Sequence, residues 1–334
     1  MINYCTLFDS RYLSRGLAMY HSLERYCPSF HLYIFAFDDV CYSTLRKLHL
    51  QYATIISLTD FEDEQLLAIK PTRTEAEYCW TCTPSIIKYA IQTYQLDSCT
   101  YLDADLLFFA DPSVLLGEMG ERSVLITEHR YTPEYDQFDS SGKYCVQFMC
   151  FKDTEEGMTA LEWWRSSCIA WCYNRIEEGK FGDQKYLDDW ASRFKGVHEL
   201  KHLGGGVAPW NVQQYDFEHR DGILYGRETA TAIVFPVVFY HYHAFKYAEA
   251  NAFLPTSVYR LSENDLQYIY GPYVYALKAA DRALARVEAA RKFHEAIEIP
   301  RIRKSLRRMY LLFIKGQFNR YYHQSYFLRK WLIS

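Results

Sequence analysis

The sequence predicts an α/β fold: a mixed, mainly parallel sheet flanked by helices, with a helical extension at its carboxyl end. Two observations predict it. The first 60 residues alternate short apolar runs with helical patterns, which implies parallel strands joined by crossover helices. A pair of carboxylates, Asp103 and Asp105, then interrupts an apolar run from Thr100 to Phe109. Burying two ionised carboxylates is costly unless a cation or donors compensate.

Taken in order, Ile2 to Phe8 reads as a buried strand closed by Asp9 and Ser10. Leu13, Leu17, Tyr20 and Leu23 mark a helix over 13–26, ended before Pro28. His31 to Phe37 alternates as a second strand, Val40 to Gln51 is helical, and Ala53 to Leu58 is a third strand. Pro84 opens a predicted helix over 84–96, because proline suits the first helical position. The strand into Asp103 follows, then strands at 123–127 and 144–151 and a long helix over 155–178. Gly182 to Gln184 opens a helix reaching about Phe194, and Gly204 to Gly206 is a loop. A β-rich run over 232–240 ends at His241, and the pattern is helical from Asp265 onward. The expected domains are 1–260, with halves of about 1–110 and 111–260, and an extension over 261–334.

Composition is that of a globular protein, 49% hydrophobic and 23% charged, which excludes intrinsic disorder. No apolar run is long enough to span a bilayer. The net charge of −4 hides an asymmetry. Residues 299–334 carry nine Lys or Arg and no acid, so the rest carries 28 − 41 = −13. Aromatic residues are interleaved with these basic ones, among them Tyr310, Phe313 and Trp331. That combination suits an anionic membrane surface, or packing of the tail on its own acidic body. Nucleic acid is excluded by the acidic main body. Met1 to Tyr4 lacks the charged start and apolar stretch of a signal peptide. The ten cysteines are therefore expected as free thiols in the cytoplasm, the chain being peripheral at most at the inner membrane face. Cys79, Cys82, Cys168 and Cys172 also have the count for a zinc site, without the usual Gly-rich knuckles.

In a strand, residues two apart share a face. A strand ending at Leu102 would let Asp103 and Asp105 converge just beyond its carboxyl end, where open α/β sheets bind ligands. Oxygen ligands suit Mg²⁺ or Mn²⁺, ions that commonly hold a diphosphate. Preceded by Tyr101-Leu102 and followed by Leu-Leu-Phe-Phe-x-Asp-Pro, the pair resembles the Asp-x-Asp metal motif of nucleotide-sugar glycosyltransferases of the GT-A (Rossmann-like) fold. The likeness is greatest to glycosyltransferase family 8 and related bacterial surface-glycan enzymes, and covers about residues 2–246.

The resemblance implies a set of roles. Asp9 and Tyr12, in Asp-Ser-Arg-Tyr, would hold the uracil, with Arg11 where the family has Asn. Thr6 and Ala104 would also line the nucleotide site, and Lys88 would neutralise its phosphates. Asp103, Asp105 and His241 would bind Mn²⁺ (or Mg²⁺), with His243 a second possible ligand on the same face. Lys246 would touch the diphosphate and Ala244 stands at a glycine position. Asp183 and Gln184 would lie beside the anomeric carbon as the catalytic pair, although Asp183 could instead cap a helix. Trp210 could stack on an acceptor sugar or belong to the core. The family's Asn-x-Gly is replaced by Cys145 and Gln147. The implied activity is hexose transfer, with retention, from a UDP-sugar to a hydroxyl of a glycan or lipid-linked acceptor, as in lipopolysaccharide or surface polysaccharide synthesis. Two rivals stand beside it. A sugar-nucleotide pyrophosphorylase should show a Gly-rich phosphate loop where Asp9-Ser10-Arg11 stands. An inactive sugar-nucleotide or glycan-binding protein of the same fold is motivated by Cys145 and Gln147.

Overall fold

The computed structural model describes residues 1–300, 302 and 305–331, the last four of these as backbone only. A seven-stranded sheet forms its centre. It comprises β1 (Ile2–Phe8), β2 (Phe30–Ala36), β3 (Ala53–Ser57), β4 (Ser98–Leu102), β6 (Val124–Glu128), β7 (Tyr144–Lys152) and β8 (Val197–Glu199), in the order β3-β2-β1-β4-β7-β6-β8. Strands β1 to β4 are mutually parallel, and β7 runs antiparallel to both neighbours. The mixed, mainly parallel sheet expected from the sequence is therefore present.

Alternate residues of β1 serve opposite layers, as the pleat requires. Tyr4 and Phe8 join a core formed with the helices Leu13–Tyr26 and Gly271–Val287. Cys5 and Leu7 join the core under the helices Glu75–Tyr94 and Glu155–Ala170. Strand order reverses between β1 and β4, which opens a crevice beyond their carboxyl ends. Asp9 follows β1 there and Asp103 follows β4.

Several expected elements differ. The helix placed at 84–96 spans Glu75–Tyr94, with Pro84 inside it. Thr74 starts it through a capping box with Glu77, a stronger signal than the proline. The helix of 155–178 stops at Ala170, and 182–194 holds only a single 3₁₀ turn and the short helix Trp190–Arg193. The extension after 260 is not wholly helical. β13 (Lys246–Ala248), β14 (Ala252–Leu254), β15 (Ala296–Ile297), β16 (Gln317–Phe318) and β17 (Tyr321–His323) form a five-stranded sheet. Strands of two or three residues are too short to show a period. The extension shares the main core, since Tyr273, Val274 and Leu277 pack with residues of β1 and of the Leu13–Tyr26 helix. Arg301, Arg303 and Lys304 of the basic tail, and the side chains of Arg329, Lys330 and Trp331, lie outside the described residues.

All ten cysteines are free thiols. No helix among the described residues is long and apolar enough to cross a membrane.

Candidate metal centre and donor site

The site is built by a chain reversal after β4. Leu102 ends the strand, and Asp103 N–H donates to the Gln147 carbonyl at 3.0 Å, holding the turn against β7. The chain then enters β5 (Leu106–Phe108), which pairs antiparallel with β12 (Phe239–His241), Leu106 opposite His241. That register carries His241 beside the two carboxylates. Tyr242 N–H donates to Asp105 O at 3.0 Å and His241 N–H to Val207 O at 2.9 Å, fixing both flanks.

His241 Nε2 lies 3.2 Å from Asp105 Oδ1 and 3.6 Å from Asp103 Oδ2. One ligand atom from each residue falls within 4.8 Å of the others, and this is the one such His/Cys/Asp/Glu group among the described residues. Adjacent ligands on an octahedral ion at ~2.1 Å stand about 3 Å apart, so two carboxylates and an imidazole here fit one divalent cation. Imidazole in the set favours Mn²⁺ over Mg²⁺.

The surrounding groups fix the ligands. Tyr101 O–H donates to Asp103 Oδ1 at 2.8 Å. Gln147 Oε1 lies 2.9 Å from His241 Nδ1, which assigns the proton to Nδ1 and turns the Nε2 lone pair toward the carboxylates. Cys145 is buried close enough to His241 for each to shift the other's titration. Of the two residues that depart from the expected Asn-x-Gly, Gln147 thus bonds the imidazole and Cys145 lies near it. Gly206, at φ +99°, leaves room for Gln147 and Thr127: a Cβ there would stand 2.8 Å from Thr127 and 3.3 Å from the Gln147 amide nitrogen.

Burial pushes both carboxyls up and His241 pulls both down. Asp103, also facing Asp105, stays above the ordinary carboxylate value. Asp105 lies closer to His241, is helped by His243 and Arg15, and ends below it. His241 is raised despite its burial, chiefly by Asp105. Asp183 is buried and pushed up to about 8 by burial and then by the charge of Asp103.

The remaining expected residues distribute unevenly. Ala104 is buried between the carboxylates, and Thr6 is buried on β1, its hydroxyl without a partner. Asp183 lies near enough to Asp103 to feel its charge, and Gln184 donates to Ser141 O at 2.8 Å. Gly182, at φ +53°, makes the turn into this pair. Asp183 does not cap a helix with its side chain, since none of full length begins there. Tyr12 is 43% exposed beside the crevice, while Asp9 accepts hydrogen bonds from Arg11, which also pairs with Glu75. Lys246 is exposed at the start of β13 with no polar partner among the described residues. Lys88 is not brought to the cluster. It pairs with Glu162 in an open groove between the helices Glu75–Tyr94 and Glu155–Ala170. His243 stays outside the three-ligand group, its ring 5.7 Å from that of Trp210. Trp210 is core: it is 4% exposed and its indole N–H donates to His129 O. Cys79, Cys82, Cys168 and Cys172 do not come together as a four-ligand zinc site.

Ala244 sits at φ +62°, in the turn between His241 and β13. A left-handed alanine costs ~1–2 kcal/mol, partly offset by the ~0.5–1 kcal/mol of backbone entropy that alanine saves over glycine. Ala244→Gly is therefore expected to be stabilising by up to about 1 kcal/mol, read from a urea melt. A clear loss of stability would show that the alanine methyl packs usefully.

Two residues of the site were not expected from sequence. Tyr101 stood in the sequence only as a flank of the Asp-x-Asp pair. Arg15 drew no reading from the sequence, and it is 6% exposed.

No family model matches the chain. Two proteins of Bacillus subtilis (strain 168) are similar over most of its length. YfnD is 32% identical over 281 residues, 83% of this chain and 88% of YfnD. YfnF is 30% identical over 278 residues, 81% of this chain and 89% of YfnF. Among solved structures, galactosyltransferase LgtC, in complex with donor and acceptor sugar analogues, is 12% identical, with a TM-score of 0.49, over 87% of this chain and 98% of LgtC. Glycosyltransferase GlyE of Streptococcus pneumoniae TIGR4 is 15% identical, with a TM-score of 0.40, over 64% of this chain. The chain spans about half the length of GlyE, 48%. Likeness this low says nothing of substrate.

Proposed function

The chain belongs to the family of the Bacillus subtilis proteins YfnD and YfnF, and within it we propose a metal-dependent glycosyltransferase of the GT-A type. The proposed donor is a UDP-hexose, and the acceptor a hydroxyl of a glycan or lipid-linked sugar. One observation carries the reading. Asp103, Asp105 and His241 converge beyond the carboxyl end of β4, at the crevice where strand order reverses.

A divalent ion held there would act as a Lewis acid toward the leaving diphosphate. The chain's own residues do the rest. Tyr101 and Gln147 hold the ligands in place before substrate arrives. Tyr12 offers an exposed ring at the crevice for the base to stack on. Asp183, whose burial favours the protonated form, can donate a hydrogen bond to a sugar oxygen. Gln184, anchored to Ser141, would present its free carbonyl end to the sugar, and retention is proposed with it.

The test is a thermal-shift panel of UDP, GDP, CDP and ADP with Mn²⁺, with Mg²⁺ and with chelator, followed by UDP-sugar turnover. A ligand that binds only the folded state raises the melting temperature. Stabilisation by UDP that needs Mn²⁺, and turnover of a UDP-sugar, are expected. No shift with any nucleotide would sink the reading. UDP binding without turnover of any donor would favour the inactive binding protein.

A lipid-linked acceptor suits a second observation. In the helix Leu306–Phe313 and the residue after it, Leu306, Met309, Tyr310, Phe313 and Ile314 are exposed by 86, 37, 51, 38 and 56%. These positions, spaced i, i+3, i+4, i+7 and i+8, make one continuous apolar stripe. Arg307 and Lys315 flank it, exposed, in a tail that carries no acid. We propose that this stripe docks on anionic lipid, each basic group adding ~1 kcal/mol. Tyr310→Asp with Phe313→Asp is expected to cut sedimentation with anionic vesicles at least tenfold and leave neutral-vesicle binding negligible. Unchanged sedimentation would assign the basic tail to other contacts.

A further inference from the structure

Arg15 is the anomaly of the site. It lies in the first turn of the helix Leu13–Tyr26 and is 6% exposed. Burying a guanidinium is costly without a counter-ion. Arg165, also 6% exposed, has one: it pairs with Asp63 and bonds Gln65 and Ser85. No carboxylate among the described residues comes within ion-pair distance of Arg15. It donates only to two carbonyls, Phe245 O at 3.0 Å and Arg11 O at 3.4 Å. Its guanidinium stands 4.4 Å from the centre of the Tyr12 ring and 5.5 Å from that of Tyr247.

The position is telling. Phe245 closes the turn that follows His241, its N–H donating to Tyr242 O. Tyr12 belongs to the segment after β1. The guanidinium thus bridges the two sides of the crevice, and Asp105 feels its charge.

Charge balance makes the same point. Two ionised carboxylates cancel one divalent ion and leave nothing for an incoming diphosphate. Of the two cations expected from sequence, Lys88 is held by Glu162 and Lys246 lies exposed at the start of β13. Arg15 supplies a fixed positive charge in the right place, with donor geometry suited to phosphate oxygens.

We propose that Arg15 is a diphosphate-binding residue of this site, its guanidinium contacting the anionic leaving group of the donor. The proposal rests on the nucleotide-sugar reading above. It is distinct from metal binding, because Arg15 touches none of the three candidate ligands.

The test titrates wild type and Arg15→Gln with Mn²⁺ alone, then with inorganic pyrophosphate, UDP and uridine at saturating Mn²⁺. The Gln amide can still donate to Phe245 O, so the turn keeps a donor. Mn²⁺ affinity within threefold of wild type, unchanged uridine binding, and at least tenfold weaker pyrophosphate and UDP are expected. The salt dependence of UDP binding should also become shallower. Equal pyrophosphate and UDP binding in the variant would overturn the proposal. Parallel loss of Mn²⁺, uridine and diphosphate would also overturn it, making Arg15 a prop for the Phe245 turn. Should Arg15→Gln fail to fold, Arg15→Lys keeps the charge and loses the planar fork. Severalfold weaker diphosphate binding is then expected, and wild-type binding would overturn the proposal. A wild type that binds Mn²⁺ but neither pyrophosphate nor any nucleotide would sink the nucleotide-sugar reading itself, and Arg15's role with it.

Discussion

Asp103→Asn is expected to abolish Mn²⁺-dependent stabilisation while leaving the metal-free protein as stable as wild type, or more so. The sign follows from the opposite environments of the two carboxylates. Burial and the charge of Asp105 hold Asp103 above its ordinary pKa, so its ionised form opposes folding at neutral pH. An amide at that position keeps the volume and still accepts from Tyr101. Asp105 is the reverse case. It sits 3.2 Å from His241 Nε2 and ends below the ordinary value, so its ionised form supports folding above its unfolded pKa and the support fades as pH falls. Asp105→Asn should therefore destabilise the metal-free protein as well as remove the ion. Both variants should lose roughly a thousandfold or more in turnover, the several kcal/mol that a bound Lewis acid supplies. Melting curves in chelator and in Mn²⁺ separate the cases. An Asp103→Asn protein that is clearly less stable in chelator would mean that the carboxylate has a structural partner, and that the pair was not shaped for an ion.

The same pair shows why the sequence was informative where it was. Two carboxylates one residue apart at the end of an apolar strand can only converge beyond the sheet edge, whatever the rest of the fold does. The first half of the sheet was legible for a similar reason, because its strands and helices are long enough to show a period. His241 was legible only through resemblance. Its place beside Asp105 depends on β5 and β12, each three residues long and separated by 130 positions in the chain. Lys88 was misplaced and Arg15 was not foreseen, for the same reason. Both are basic residues on helices, and a helix pattern does not say which face meets a carboxylate. Lys88 found Glu162 on a neighbouring helix; Arg15 turned inward and found none among the described residues. Gln147 looked like a departure because its partner, His241, is remote in sequence and adjacent only once β7 and β12 are placed. The tail misled for want of length: its strands hold two or three residues apiece.

Trp164 and Trp190 allow the largest effect on stability to be tied to the site. Both are fully buried, and their rings meet edge to face at 5.7 Å. Trp164→Ala should cost ~3–5 kcal/mol through lost burial and the cavity it leaves. At ~2.1 cal/mol/K per residue, that lowers Tm by about 6 °C for a chain of 334 residues. The two indoles differ in one bond. Trp164 Nε1 donates to the Asp183 carbonyl at 2.9 Å, whereas Trp190 Nε1 is buried without a partner. Phenylalanine at each position removes the N–H and keeps an aromatic ring. Trp164→Phe leaves the Asp183 carbonyl unpaired and should cost ~1–3 kcal/mol beyond the lost ring volume. Trp190→Phe sheds an unsatisfied donor, so the volume it loses is offset and the variant should lie closer to wild type. Activity should separate them further. Asp183 and Gln184 lie on a segment with no full helix or strand of its own, so the Trp164 bond is one of few anchors they have. Trp164→Phe is expected to lower kcat about tenfold with little change in Mn²⁺ binding, while Trp190→Phe keeps kcat. If the two variants lose equal stability and equal kcat, the Trp164 bond does not position the pair, and the aromatic layer acts on the site only through packing.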